Sequence, residues 1–535
     1  MSRTIRTFGL AVVVSSFAAS AAMAAQFEDK LLAAVVNNDL AAASLALKNR
    51  ANPNVLAPDG SSPLAWAVDR SETEMVNLLL KAGAKTGVGS AVPLVLACES
   101  GNNAVISLLL GARADVNASA IDGVRAFHVC ASRASAENVS RMIEAGASLE
   151  AANADGQTAL MFAASAGNVE NVAVLIKARA NVNAASKGGF TPLMFAAKSP
   201  NTKVVQALLD AGASNSYAAP DGATALHIAL LANNVPVAKI LVERGASLTA
   251  WDINGRQPLH VAVINGDAEL AKLMIAKGAP LNGLTRLAYR VDPDTDRRRE
   301  GGPRAVVRTA SVVGVDISNV SKEAAQRVTD QRGGNGGNGG GRGGQNFRDP
   351  LYYDTAAKLG YQPKIVLGAL DWAGSVADPA PPTTPLLAAA AAGRADTMKL
   401  LVESGADKAF RTDDGNSLML AAVSSASLDA VKYALTVSPD LKVAKKDGTT
   451  VMHIAVTNAN RGVEDAKATT AEAQAMMQYL ADNGADLTAK NSRGQTPFDA
   501  TGRAGTEIEE FYSKLLKTHG APAQADASKS ATLTQ

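Results

Sequence analysis

Along most of the chain, apolar residues arrive in short bursts at helical spacing, and each pair of bursts ends in a tight turn. The stretch from Asp155 is representative. Ala159, Leu160, Met161, Phe162, Ala163 and Ala164 form one apolar burst, and Ala166-Gly167-Asn168 is a polar break. Val172, Leu175 and Ile176 then recur at the spacing of one helix face. The second burst stops at Gly-Ala, as it does at Gly83, Gly146, Gly212, Gly245, Gly278, Gly405 and Gly484. The pattern predicts pairs of short helices, the second closed by a left-handed glycine cap.

The pairs repeat. Asp122-Gly123, Asp155-Gly156, Gly188-Gly189, Asp221-Gly222 and Asn254-Gly255 follow one another at intervals of 33 residues, as do Asp414-Gly415 and Asp447-Gly448. Asp59-Gly60 opens an earlier unit, and Gly89-Ser90 stands where the next should start. Each Asp/Asn-Gly pair suits a tight turn, because Gly tolerates positive φ. Thr158, Thr191 and Thr224 stand where a helix N-cap is needed, and Pro192 and Pro258 fit a first helical turn. A fixed period of this size marks a solenoid of stacked supersecondary units.

The turn, the Thr-Pro-Leu-His-like helix start and the Gly-Ala stop together resemble the ankyrin repeat, in an exported, bacterial-type protein. The resemblance covers roughly residues 27–285 and 381–520 and about twelve units. It implies an all-α repeat solenoid of helix-turn-helix units with β-hairpin fingers, a concave binding face, and protein–protein recognition as the usual role. Arg113 and Arg179 depart from the pattern by replacing the capping Gly. The unit from Asp447 carries extra residues at 461–473, expected to lengthen the turn between its helices.

The chain divides on this reading into residues 25–285, a first block of about eight units with its N-terminal cap, and 381–520, a second block with its C-terminal cap. Between them the period fails. Residues 286–348 read as an insertion: charged at first, Val-rich over 305–320, and Gly/Asn/Arg-rich over 331–344, a linker composition. Residues 349–380 hold Tyr352, Tyr353, Tyr361 and Trp372 and read as a degenerate repeat that restarts the stack. Residues 521–535 read as a disordered tail.

Composition narrows the class. Apolar residues make up 47% of the chain but aromatics only 4%, which suits closely stacked Ala-rich helices better than one large core. The net charge of +2 calls for neither nucleic acid nor an acidic membrane as partner. Residues 1–24 read as a secretory signal peptide, with Arg3 and Arg6 before an apolar stretch and Ala22-Met23-Ala24 as the cleavage site. No later stretch is apolar for the length of a membrane helix. The expected location is therefore the periplasm first, the extracellular space second.

Chemistry is sparse. His128, His227, His260 and His453 share one repeat position, six residues after the turn Asp or Asn, and His519 lies near the C-terminus. The resemblance gives the shared His a structural role, knitting neighbouring turns and helices. Equivalent positions in adjacent repeats lie about 10 Å apart, too far to share an ion, so no metal or cofactor is expected. Cys98 and Cys130 occupy nearly equivalent positions in adjacent first helices and are expected to be buried free thiols. No nucleophile elbow, phosphate loop or zinc-protease motif occurs, so catalysis is not supported.

Recognition remains. The resemblance places contacts on finger residues and the open side of the first helix. The candidates are Ile121, Arg125, Lys187, Phe190, Trp251 and Arg256, with Trp251 foremost. The expected function is a non-catalytic scaffold outside the cytoplasm that binds a protein partner. The alternatives are a secreted effector binding another organism's proteins, or an accessory subunit of an envelope or redox enzyme.

Overall fold

The computed structural model describes residues 26–119, 123–285, 381–459, 468–503 and 505–520. The signal peptide expected at 1–24, the degenerate repeat at 349–380 and the tail at 521–535 lie outside the described residues. So does the whole insertion at 286–348. The chain forms two compact units that divide between Ser214 and Asn215. The division does not fall at the insertion, which interrupts the second unit.

The first unit opens with a helix over residues 26–36, followed by Leu40–Lys48, which is capped by the Asp39 carboxylate accepting the Ala42 N–H at 2.9 Å. Its repeats then pair a first helix with a second. The pairs are Pro63–Asp69 with Thr73–Lys81, Pro93–Ser100 with Asn103–Gly111, Ala126–Arg133 with Ala136–Glu144, Ala159–Ala166 with Val169–Lys177, and Pro192–Ala196 with Thr202–Asp210. In the second unit the pairs are Ala225–Leu231 with Val235–Glu243, Pro258–Asn265 with Ala268–Ala276, Pro385–Ala391 with Ala395–Glu403, and Leu418–Ser424 with Leu428–Val437. Val451–Ala459 with Thr470–Asp482 follows, and a 3-10 turn Phe498–Arg503 with Thr506–Thr518 closes the unit.

Each first helix buries small residues against its neighbours. In Ala159–Ala166 the buried set is Ala159, Leu160, Met161, Ala163 and Ala164. Second helices bury a narrower stripe, such as Val204, Val205 and Leu208. No repeat can cover these faces alone, so the core runs along each unit from one repeat to the next.

Polar side chains stitch successive repeats where helices end. Asn117 is typical: its Nδ2 donates to the Gly146 carbonyl at 3.0 Å, and its Oδ1 accepts the Ser148 N–H at 3.0 Å. Asn54 and Asn183 repeat this bridge with Gly83 and Lys85, and with Gly212 and Ser214. On the opposite edge, Asn171 Nδ2 donates to the carbonyls of Ala131 and Ala134, each at 2.9 Å. These bonds satisfy the terminal carbonyls that every helix leaves orphaned.

Ser62, Thr224, Thr384 and Ser417 cap their helices through side-chain oxygens, as expected of that position. Thr158 and Thr191 do not cap through their side chains, and the Thr158 Oγ1 is buried with no hydrogen-bond partner. Arg113 and Arg179 sit where Gly usually caps and adopt φ of 57° and 68°. A side chain in that region costs on the order of 1 kcal/mol. Glycine is required more strictly at Gly156, with φ 74°, where an added Cβ would lie 2.8 Å from the Lys187 nitrogen of the next finger.

Two expectations change. Cys98 and Cys130 are not free thiols; they form a disulfide, with Cα atoms 4.7 Å apart. Helix-packing distances suggested a wider gap, but Ala97 and Ala131 let the two first helices close up. The cysteines also stand 32 residues apart, one fewer than the period, which aims one helix's side chain at the other's. The second change concerns residues 461–473. Thr470–Asp482 begins inside that stretch, with Thr469 and Glu472 forming a reciprocal capping box, so its last residues lengthen the second helix rather than the turn.

The insertion has a definite place. In an ordinary finger the N–H four residues before the helix-capping side bonds back across the turn, as Asp252 does to the Arg256 carbonyl at 2.9 Å. Thr285 makes the same bond, at 2.9 Å, to Thr383. Residues 286–382 therefore replace the three tip residues of one finger, those equivalent to Ile253, Asn254 and Gly255. Bonds between the flanking repeats keep register. The Asn117–Ser148 separation of 31 becomes 125 for Asn282–Asp407, and the Asn171–Ala131 separation of 40 becomes 134 for Thr397–Val263. The helix Pro258–Asn265 packs directly on Pro385–Ala391. Among the described residues, the second block completes the finger that Thr285 leaves open.

Replacing residues 286–382 with a three-residue Ile-Asn-Gly turn is therefore expected to preserve the second unit. Its unfolding free energy in urea should rise by up to about 3 kcal/mol, the closure entropy of the longer loop. Loss of the helical signal in circular dichroism would show that the insertion holds the unit together.

Candidate functional site

The shared histidines are structural in detail. His128 Nδ1 accepts the Arg125 N–H at 3.1 Å, and its Nε2 pairs with the Ala151 carbonyl at 2.8 Å. His227 Nδ1 meets the Thr224 N–H at 3.3 Å and Oγ1 at 3.0 Å, and its Nε2 reaches the Arg256 carbonyl at 3.3 Å. His453 makes the same set with Thr450 and the Gln495 carbonyl. Each ring ties its own helix start to the following finger. One ring nitrogen accepts and the other donates, so the neutral imidazole is the form that fits.

His260 bonds the Thr383 carbonyl at 3.1 Å, beside the insertion. Gln257 replaces the capping Thr there, and His260 Nδ1 and Gln257 Oε1 are both buried without a partner. Burial pushes the His260 pKa down to about 4, with backbone hydrogen bonds from Thr383 and Gly283 opposing. Burial also lowers the His227 pKa, with the Asp252 charge opposing. Among the described residues no group of three or more His, Cys, Asp or Glu could hold a metal ion.

The finger candidates separate into two kinds. Arg256 is drawn inward: its Nε and Nη2 both donate to Asp252 Oδ2, at 3.0 and 2.8 Å. Asp252 is only 2% exposed at its side chain, and its Oδ1 also accepts the N–H groups of Asn254 and Arg256. Arg256 thus locks its turn. Trp251 is half-buried and donates its Nε1–H to the Leu284 carbonyl of the next finger at 3.4 Å. Arg125 is half-buried too, with Nη1 on the Asn117 carbonyl at 2.9 Å. Lys187 is exposed at a finger, and Phe190 is half-buried with its ring 6.4 Å from Phe195. Ile121 lies outside the described residues.

A second set was not singled out from sequence. From Pro63–Asp69 onward, one first-helix position of the first unit carries Trp66, Leu96, Phe162 and Phe195, except in Ala126–Arg133, where the buried Val129 stands. Each of those four is only half-buried, while the residues beside it are buried. Phe162 stacks on the His128 ring of the preceding repeat, with centroids 5.3 Å apart and planes 15° apart. Lys198, three residues beyond Phe195, has its pKa lowered by burial. In the second unit the equivalent Ile228, Val261, Ala388 and Ala421 are buried, and Ile454 is half-buried. A bulky apolar residue recurring at one repeat position, in a chain with so few aromatics, was the available signal.

Stacked helix pairs whose turns are bridged to their neighbours define a helical-repeat protein. The sequence pattern of ankyrin repeats, described as three copies, matches residues 31–120, 127–219, 211–284 and 386–491. That is more than half of the chain, which belongs to the ankyrin-repeat family. No curated protein matches the chain.

Two outcomes test this assignment of structural and open residues. His260 is neutral when folded, with its pKa pushed below the ordinary 6.5, so the unfolded chain binds its proton more readily. Its contribution is present above pH 6.5 and is lost as the pH falls toward 4. Urea unfolding of the second unit should weaken over that window, by on the order of 3 kcal/mol per such group, and less in His260→Gln. Separately, Arg256→Ala should destabilise the second unit by about 2–3 kcal/mol, because it strips a buried carboxylate of its charged partner. Lys187→Ala should change stability by less than about 0.5 kcal/mol.

Proposed function

We propose that this ankyrin-repeat protein is a non-catalytic scaffold that works outside the cytoplasm and grips a protein partner along the open side of its first unit. One observation carries the reading: Trp66, Leu96, Phe162 and Phe195 are large apolar side chains left half-exposed at one first-helix position, on either side of the buried Val129. Leaving such groups facing water forgoes roughly 1–2 kcal/mol of burial each. Aromatic residues in partly open sites are the usual anchors of protein interfaces. Lys187 and Phe190 extend the surface onto a finger. Trp251, Arg256 and Arg125 support fingers rather than contact the partner, and Ile121 is proposed as a further contact from its place in the repeat pattern.

Export is supported by residues 1–24, which read as a signal peptide, and by the Cys98–Cys130 disulfide, a bond that persists in oxidising compartments. The periplasm is the first location proposed, and the extracellular space the second. Among the described residues no helix is long and apolar enough to cross a membrane.

The test begins with affinity purification from the native cell and identification of the bound protein. Phe162→Ala with Phe195→Ala should weaken capture of that protein at least about tenfold, as expected for two anchor truncations. Lys177→Ala, on an exposed second-helix face, should leave capture unchanged. Equal capture by both variants would refute the column as the binding surface. N-terminal sequencing of periplasmic and culture-fluid fractions should find a mature chain that begins after Ala24.

A further inference from the structure

The Cys98–Cys130 bond is out of reach of anything in solution. Both residues are 0% exposed. They join Pro93–Ser100 to Ala126–Arg133, which pack on each other and bury Leu94, Ala97, Phe127 and Ala131. The second helices Asn103–Gly111 and Ala136–Glu144 pack behind them. Thiol–disulfide exchange needs a thiolate to reach a sulfur atom directly. In the closed stack no such approach exists, whether to make the bond or to break it. The exchange must run through a state in which these two repeats have not closed.

The chain suits that order of events. It holds only two cysteines, so an early bond has no wrong partner. They lie 32 residues apart, so two neighbouring repeats need only approach each other to pair them.

We propose that the chain is a substrate for a disulfide donor that acts while the repeats carrying Cys98 and Cys130 are still open, and that their closure then seals the bond against thiol reductants. The chemistry balances as two exchanges. The thiolate of one cysteine attacks the donor's disulfide, forming a mixed disulfide and releasing one donor thiolate. The thiolate of the other cysteine then attacks the chain's sulfur in that mixed disulfide, forming Cys98–Cys130 and releasing the second donor thiolate. The two cysteines are oxidised, the donor disulfide is reduced by two electrons, and the two cysteine protons pass to solvent or donor. In the cell this rests on the proposal that the chain folds outside the reducing cytoplasm; the sealing itself does not.

Two experiments on the full oxidised chain test it. First, the protein is treated with dithiothreitol in native buffer or in denaturant, quenched in acid and alkylated with a maleimide, and the labels are counted by intact mass. No label is expected in native buffer over the time that gives two labels in denaturant. Labelling at the same rate in both would overturn the sealing. Second, the reduced, denatured chain is diluted into native buffer, with glutathione disulfide present from the start or added once helical ellipticity has reached its plateau. Late addition should slow bond formation at least about tenfold, the mark of exchange gated by local opening. A reduced chain that never regains its ellipticity also supports bond formation ahead of closure, whereas equal rates after full recovery would overturn it. Acid trapping of the native cell separates the two proposals. A mature exported chain with two free thiols would refute the donor step, and a cytoplasmic chain would refute export alone.

Discussion

Everything in each unit depends on how closely successive first helices approach, and only small side chains permit that approach. Ala97, Ala131, Ala163 and Ala164 are fully buried between neighbours. At that spacing, side chains of one repeat reach the backbone of the next. The Asn bridges, the His rings and the finger contact at Gly156 all follow from it. The same spacing brings Cys98 within bonding range of Cys130. A disulfide closing a loop of this length removes roughly 3–4 kcal/mol of unfolded-chain entropy, concentrated at one junction between repeats.

Because each repeat touches only its neighbours, an insertion is tolerated wherever it leaves those contacts in place. A finger tip is such a point. The Thr285–Thr383 hydrogen bond closes the finger as Asp252–Arg256 does elsewhere, and Thr397 and Asp407 find the partners they would have had without the added residues. The junction does show a cost. Gln257 stands where Thr caps the neighbouring histidines, and two buried polar atoms lie unpaired beside it. An unpaired buried polar group costs about 1–3 kcal/mol, so this finger is the least well satisfied of those with a shared His.

Polar and apolar side chains divide the work of the surface. Those that looked most like contact residues from their types, Arg256, Trp251 and Arg125, direct their polar groups to finger backbone or to Asp252. Leu96, Phe162 and Phe195, at the middle of the first helices, carry no polar side-chain group to engage. Recognition by this protein is thus proposed to be apolar along the helices, with Lys187 supplying charge from a finger.

Local chemistry settled the helix pairs, their turns, the glycine stops and the left-handed Arg113 and Arg179, because each follows from residues a few positions apart in sequence. The structural role of the histidines was legible for the same reason, since their helix-start partners lie three residues away. Only the tertiary structure decided the disulfide, the finger that houses the insertion, and which exposed-looking residues are engaged. Each depends on distances between repeats, and a period in sequence counts residues without measuring how closely the helices stack.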